Sequence, residues 1–182
     1  MRDRAVGGPA GDIPVRVYRP ARAAAGARPL ILNFHGGGFV FGDLRLSDWM
    51  CSSAAVTVGA VVVSVAYRLA PAHRFPAAVD DCYAALAWAA GNAASLGASG
   101  PGEAAPPFIG VMGESAGGNL AAVMCLLARD RGGPRIRHQA LLYPPTDMPH
   151  GYLNFPGICA ARSRPWPRYA RSRRRHSPSP PR

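Results

Sequence analysis

A serine framed by glycines, Gly113-Glu114-Ser115-Ala116-Gly117, stands where one hydrophobic pattern gives way to another. Before it, Phe108, Ile109, Val111 and Met112 read as a buried strand; after it, Leu120, Val123, Met124 and Leu127 recur at helical spacing. A G-x-S-x-G bend between strand and helix holds its serine in a strained conformation and lifts the hydroxyl clear of the sheet. The flanking glycines let two backbones pass without a Cβ between them. The same bend leaves free amides at the helix N-terminus, that of Ala116 in particular, aimed where negative charge would develop on a substrate oxygen. Ser115 is therefore the candidate nucleophile. Upstream, Leu30 to Phe34 is a second apolar run, and it leads into His35-Gly36-Gly37-Gly38-Phe39. Three glycines after a strand expose amides that no side chain covers, which suits an oxyanion-binding loop, with a flexible turn as the other reading. His35 is read as the residue that anchors this loop.

These residues need a scaffold, and the remaining patterns supply one. Ile13, Val15 and Val17 alternate with Pro14, Arg16 and Tyr18, which predicts a half-buried strand near a sheet edge, where proline is tolerated. Residues 19 to 28 form an alanine-rich linker. Ser47 is the expected N-cap of a helix running to Val58, and Gly59 its stop. Val61, Val62, Val63 and Val65 are apolar on both faces, as in the middle of a parallel sheet. A proline-punctuated connection from Tyr67 to Pro76 precedes a helix stripe of Val79, Cys82, Tyr83, Leu86 and Ala90. Asp80 and Asp81 fall in its first turn and are read as acids favoured by the helix dipole. Gln139 to Tyr143 is a further strand, with His138 just ahead of it. Strands alternating with helices predict an α/β fold, a mostly parallel central sheet with helices on both faces.

The organisation predicted is a flexible N-terminus over residues 1–12, a core over 13–150, and an unpatterned Arg/Pro/Ser-rich tail over 151–182 that reads as disordered. A chain of 182 residues holds one domain, and 48% hydrophobic content suits a globular protein. The formal charge of +11 is unevenly spread: residues 1–160 carry thirteen arginines against ten acids, residues 161–182 eight arginines and no acid. Clustered arginine with Trp166 and Tyr169 could meet phosphates and bases, but a solvated tail accounts for it, and no specific nucleic-acid partner is expected. Cys51, Cys82, Cys125 and Cys159 form no C-x-x-C pair and no metal-like spacing with histidine, so free thiols and no metal are expected. The start of the chain lacks an apolar signal core, and the stretch from Ala54 to Ala66 is too short to span a bilayer, which predicts a cytoplasmic protein without a transmembrane segment.

From Ile13 to Asp147 the chain resembles the hormone-sensitive-lipase-like branch of the α/β-hydrolases, which are carboxylesterases and lipases. Four linked motifs carry the resemblance: His35-Gly36-Gly37-Gly38; Tyr67-Arg68-Leu69-Ala70-Pro71 with Phe75-Pro76-Ala77-Ala78 and Asp80-Asp81; Gly113 to Asn119; and Leu142-Tyr143-Pro144. The resemblance implies that Ser115 is the nucleophile, that the amides of Gly37, Gly38 and Ala116 form an oxyanion hole, and that Glu114 fills the acidic position beside the serine. His35 and Gly36 are supporting residues. It implies an ester substrate and no cofactor.

The resemblance also implies an Asp and then a His after the serine, and here the sequence departs from it. No Asp or Glu follows Asp147, and His138, His150 and His176 lack the expected context. The expectation is a partial α/β-hydrolase: a serine hydrolase with impaired activity or, as the alternative, a non-catalytic binding protein on the same fold. A partial sheet would also expose an edge through which copies could associate.

Overall fold

A computed structural model describes residues 1–20, 27–102 and 105–145, and the structural statements below concern these. Six strands form one sheet in the order β1-β2-β4-β3-β5-β6. They are β1 (Arg2–Gly8), β2 (Gly11–Tyr18), β3 (Leu30–Phe34), β4 (Val61–Val65), β5 (Ile109–Glu114) and β6 (Ile136–Leu142). The pairs β1/β2 and β2/β4 are antiparallel, and β4, β3, β5 and β6 run parallel. The central strands are sequestered as their composition requires: all five residues of β4 are buried, as are Leu30, Leu32 and Phe34 of β3.

The helices are α1 (Asp48–Val58), α2 (Ala77–Gly91), the single-turn α3 (Ala93–Leu96) and α4 (Ala116–Asp130). The β3-α1-β4 crossover steps one way along the sheet, and β4-α2-β5 steps back past β3 to its other side. Crossovers of one handedness that run in opposite directions place their helices on opposite faces. Accordingly α1 packs Cys51 and Ala55 with Tyr18, Val62 and Met112, whereas α2 and α4 share the larger core with Leu32, Val63, Val65 and Val111. The loops leaving β3 and β5 therefore diverge, and the C-terminal ends of these two strands frame the crevice where sheets of this kind bind ligands. Both glycine motifs begin there.

The N-terminal residues are not the flexible segment that the sequence suggests. Arg2–Gly8 pairs in register with β2 from Arg2↔Val17 to Gly8↔Gly11, with Gly11 in a positive-φ turn (123°). Only Val6 of this strand is fully buried, so an apolar alternation is nearly absent; backbone pairing and charge hold it instead. The Arg16 guanidinium joins Asp3 (2.6 Å) to Asp48 at the start of α1 (2.9 Å), and Asp48 also accepts from the Tyr18 hydroxyl. β2 is thus one strand in from the edge; Pro14 is exposed, but Arg16 is half-buried against Asp48, and Tyr18, expected on the same face, is buried with Cys51 and Ala55 of α1.

Ser47 occupies the N-cap of α1 but makes no capping bond; Asp43 caps the preceding turn Leu44–Ser47 through the Arg45 amide. Gly59 ends α1 in the left-handed conformation (φ 70°). The final strand begins earlier than predicted, at Ile136, and contains His138. Cys51, Cys82 and Cys125 are free thiols. Among the described residues, no helix is long and apolar enough to cross a membrane, and no cluster of three or more His, Cys, Asp or Glu could hold a metal ion. Cys159, Trp166, Tyr169 and the Arg/Pro/Ser-rich tail lie outside the described residues.

Candidate active site

Ser115 lies between the end of β5 and the first residue of α4 with φ 55° and ψ −123°, a region that residues with a side chain rarely occupy. Two glycines make this bend possible. A Cβ on Gly117 would lie 2.5 Å from the Phe34 carbonyl carbon and 2.6 Å from the His35 oxygen, and one on Gly113 would lie 2.8 Å from the Phe34 oxygen. The first turn of α4 therefore crosses the end of β3 at backbone contact. The Ser115 amide donates to the Leu142 carbonyl at 2.8 Å, tying the bend to β6, and its carbonyl accepts from Asn119 (3.1 Å). Ala116, as the first residue of α4, has an amide with no intrahelical acceptor.

The glycine loop leaves β3 beside this bend, because Phe34 pairs with Gly113. Its turn bonds run to one oxygen: the Val40 and Phe41 amides both donate to the Gly37 carbonyl at 3.1 Å. The Gly37 and Gly38 amides are left without a backbone acceptor among the described residues. Gly37 has φ 115°, and a Cβ there would lie 2.8 Å from the Phe41 carbonyl carbon, so only glycine fits. Gly36 packs against Glu114, whose Cγ would be 3.2 Å from a Cβ at that position. The Glu114 carboxylate in turn accepts from the Tyr143 hydroxyl at 2.8 Å. Burial, and then the neighbouring Glu114 charge, push the Tyr143 hydroxyl up to about 12, so it remains a donor.

His35 is fully buried. Its Nδ1–H donates to the Gly36 carbonyl at 2.6 Å, and its ring stacks on Tyr67 with centroids 4.3 Å apart at 11°. Nε2 is buried without a hydrogen-bond partner among the described residues, and burial holds the pKa below the usual 6.5 despite the opposing pull of the Gly36 carbonyl, Asp43 and Glu114. A neutral ring follows. The unfolded chain takes up a proton near pH 6.5 that the folded state resists, so this contribution to stability is full above that pH and is lost as pH falls below it. Urea unfolding is expected to show a lower midpoint at pH 5.5 than at pH 7.5, and a smaller difference between the two in a His35→Gln variant.

Ser115, Ala116, Glu114 and the His35–Gly38 loop are thus brought together at the ends of β5 and β3. His138 is not: it is exposed in β6 and pairs with Gly110 near the start of β5, away from the bend. Asp147, His150 and His176 lie outside the described residues. Between α2 and α4 a groove of about 670 Å³ opens, walled by Phe39, Val79, Leu120, Val123 and Leu127. It begins one residue after Gly38, and it also reaches Asn119, one helical turn after Ser115.

Sequence reasoning missed two contributors. Asp81, read as a dipole acid, is 1% exposed and holds Arg68 with two oxygens; its carboxylate accepts from Nε and Nη2 (2.8 Å each) and from the Arg68 amide (3.0 Å). Tyr67 donates its hydroxyl to the His35 carbonyl at 2.7 Å. Both sit in the motif that carries the second part of the resemblance, but nothing in their spacing reveals a partner thirteen or thirty-two residues away.

Residues 31–161 match the family described as alpha/beta hydrolase fold. Esterase LipI of Mycobacterium tuberculosis is 49% identical over 145 residues, which is 79% of this chain and 43% of the relative. Ethyl acetate hydrolase of Pseudomonas putida is 40% identical over 141 residues, 74% of this chain and 41% of the relative. The solved hyperthermophilic esterase from Pyrobaculum calidifontis superposes with a TM-score of 0.69 at 48% identity, covering 79% of this chain and 44% of that one. The chain spans less than half the length of these relatives. With its mostly parallel sheet, its serine bend and its relatives among esterases and carboxylic ester hydrolases, the chain belongs to the α/β-hydrolase fold family.

Proposed function

We propose that this chain carries the nucleophile and the oxyanion hole of a serine hydrolase that cleaves carboxylic esters. In this reading the Ser115 Oγ attacks the ester carbonyl carbon as a base removes its proton, and the amides of Gly37, Gly38 and Ala116 hold the resulting oxyanion. Collapse expels the alcohol, which takes up a proton, and water then releases the acid from Ser115. Glu114, Gly36 and His35 act from behind by fixing the loop. The apolar groove between α2 and α4 would take a hydrophobic part of the ester, as its lining suits. Neither the base nor its orienting acid is recognisable among the described residues, and both acylation and deacylation draw on them, so both steps are expected to be slow in the 182-residue chain. Association through the edge of β6, whose residues are at most partly buried, is part of the same reading. So is a cytoplasmic setting, which the three free thiols support.

The observation that carries the proposal is the strained Ser115 backbone, held by glycines that no larger residue could replace, beside a loop whose Gly37 and Gly38 amides have no backbone acceptor among the described residues. Such strain persists where surrounding structure enforces it, and it clusters at active sites. A fluorophosphonate probe should label the chain once, with the modified peptide mapping to Ser115. Absence of labelling at micromolar probe over hours would favour a binding protein on the same fold.

A further inference from the structure

The glycine loop is gripped at both ends by one neighbouring segment. Tyr67 donates its hydroxyl to the His35 carbonyl at 2.7 Å, and the Ala70 amide donates to the Phe39 carbonyl at 2.9 Å. Residues 35 and 39 bracket Gly36, Gly37 and Gly38, which have the least intrinsic preference for any one conformation. Between the two grips, Arg68 is itself fixed, through its backbone amide and its guanidinium, to the buried Asp81 carboxylate of α2. Tyr67 is 2% exposed and its ring lies flat on His35, so it is not placed to touch a substrate. Its hydroxyl is kept protonated by burial and so retains the hydrogen that it donates to the loop.

We propose that Tyr67, backed by the Arg68–Asp81 pair, is a positioning residue that holds the oxyanion loop at its working distance from Ser115. The role rests on the reading of Gly37 and Gly38 as oxyanion donors, whereas the brace itself does not. An oxyanion hole acts through donors that need no rearrangement as charge develops, so freeing one end of a glycine loop costs rate before it costs fold.

Two measurements on the 182-residue chain separate these. In Tyr67→Phe, which keeps the stacked ring, the amides of Val40 and Phe41 are expected to exchange with solvent about tenfold faster, as for loss of one buried hydrogen bond. Exchange in β3 and α4 should be unchanged, and fluorophosphonate labelling of Ser115 should slow about tenfold. Asp81→Asn should move both readouts in the same direction. Unchanged loop exchange in Tyr67→Phe would overturn the brace. Faster exchange throughout the chain, or loss of folding in both variants, would reduce Tyr67 to an ordinary core residue and likewise overturn it. Faster loop exchange with an unaltered labelling rate would show that the brace does not serve the serine. If the wild type is not labelled at all, the hydrolase reading fails, and the exchange data alone decide whether the brace exists.

Discussion

A Ser115→Ala chain should lose covalent labelling altogether, and with it whatever ester turnover passes through an acyl-enzyme, while folding as well as the wild type. The first part follows from the chemistry proposed: without Oγ there is no acyl-enzyme, and what remains is the rate that bound amides give to direct attack by water. The second part follows from the backbone. Alanine keeps the Cβ that serine already holds at φ 55°, so it neither relieves nor adds strain. Ser115→Gly should separate the two effects further. It removes the same oxygen but also the Cβ, and it should raise stability by about 1 to 2 kcal/mol, because a non-glycine residue in this region costs about that much. Ester turnover with a short-acyl aryl ester, followed beside thermal unfolding of all three chains, gives the check. A glycine variant no more stable than the alanine variant would mean that the bend is not strained. Hydrolysis that survives in both would place the chemistry elsewhere.

What the sequence discloses and what it hides divide along physical lines. The β3 boundaries, the stop at Gly59 and the strand-bend-helix around Ser115 were legible because each rests on local signals: apolar runs, a glycine that takes positive φ, and a change of period from strand to helix. β1 was not, because an edge strand with one buried residue and the sequence Arg-Asp-Arg carries no alternation. Its evidence is the pairing with β2 and the Arg16 bridge to Asp3 and Asp48, all of them contacts with residues distant in sequence. Asp81 failed for the same reason in reverse: its place near the start of the predicted helix suggested the dipole, whereas it lies past the first turn of α2 and its partner is Arg68. His35 illustrates a middle case. That it anchors the loop could be inferred from its place before three glycines, but the stacked Tyr67 ring and the grip on its carbonyl required the fold.

Gly117 is where fold and site depend on the same missing atom, and Gly117→Ala should be the most damaging single methyl that can be added near the bend. The new Cβ would meet the Phe34 carbonyl carbon at 2.5 Å and the His35 oxygen at 2.6 Å, against an ordinary contact of 3.4–4 Å. Both are backbone atoms at the end of β3 and cannot rotate away. The start of α4 must therefore shift by on the order of 1 Å, taking Ser115 away from the glycine loop and straining the Ser115–Leu142 bond to β6. A cost of about 3 kcal/mol or more is expected, at the upper end of overpacking effects, with Ser115 labelling lost even in molecules that stay folded. Gly91, the last residue of α2, supplies the control. A Cβ there meets nothing within 4 Å, so Gly91→Ala should be neutral or stabilise by up to about 1 kcal/mol through helix propensity alone. Urea unfolding of the two variants side by side tests the close crossing of α4 over β3 directly, since equal midpoints would mean that the helix does not pass the strand at backbone contact.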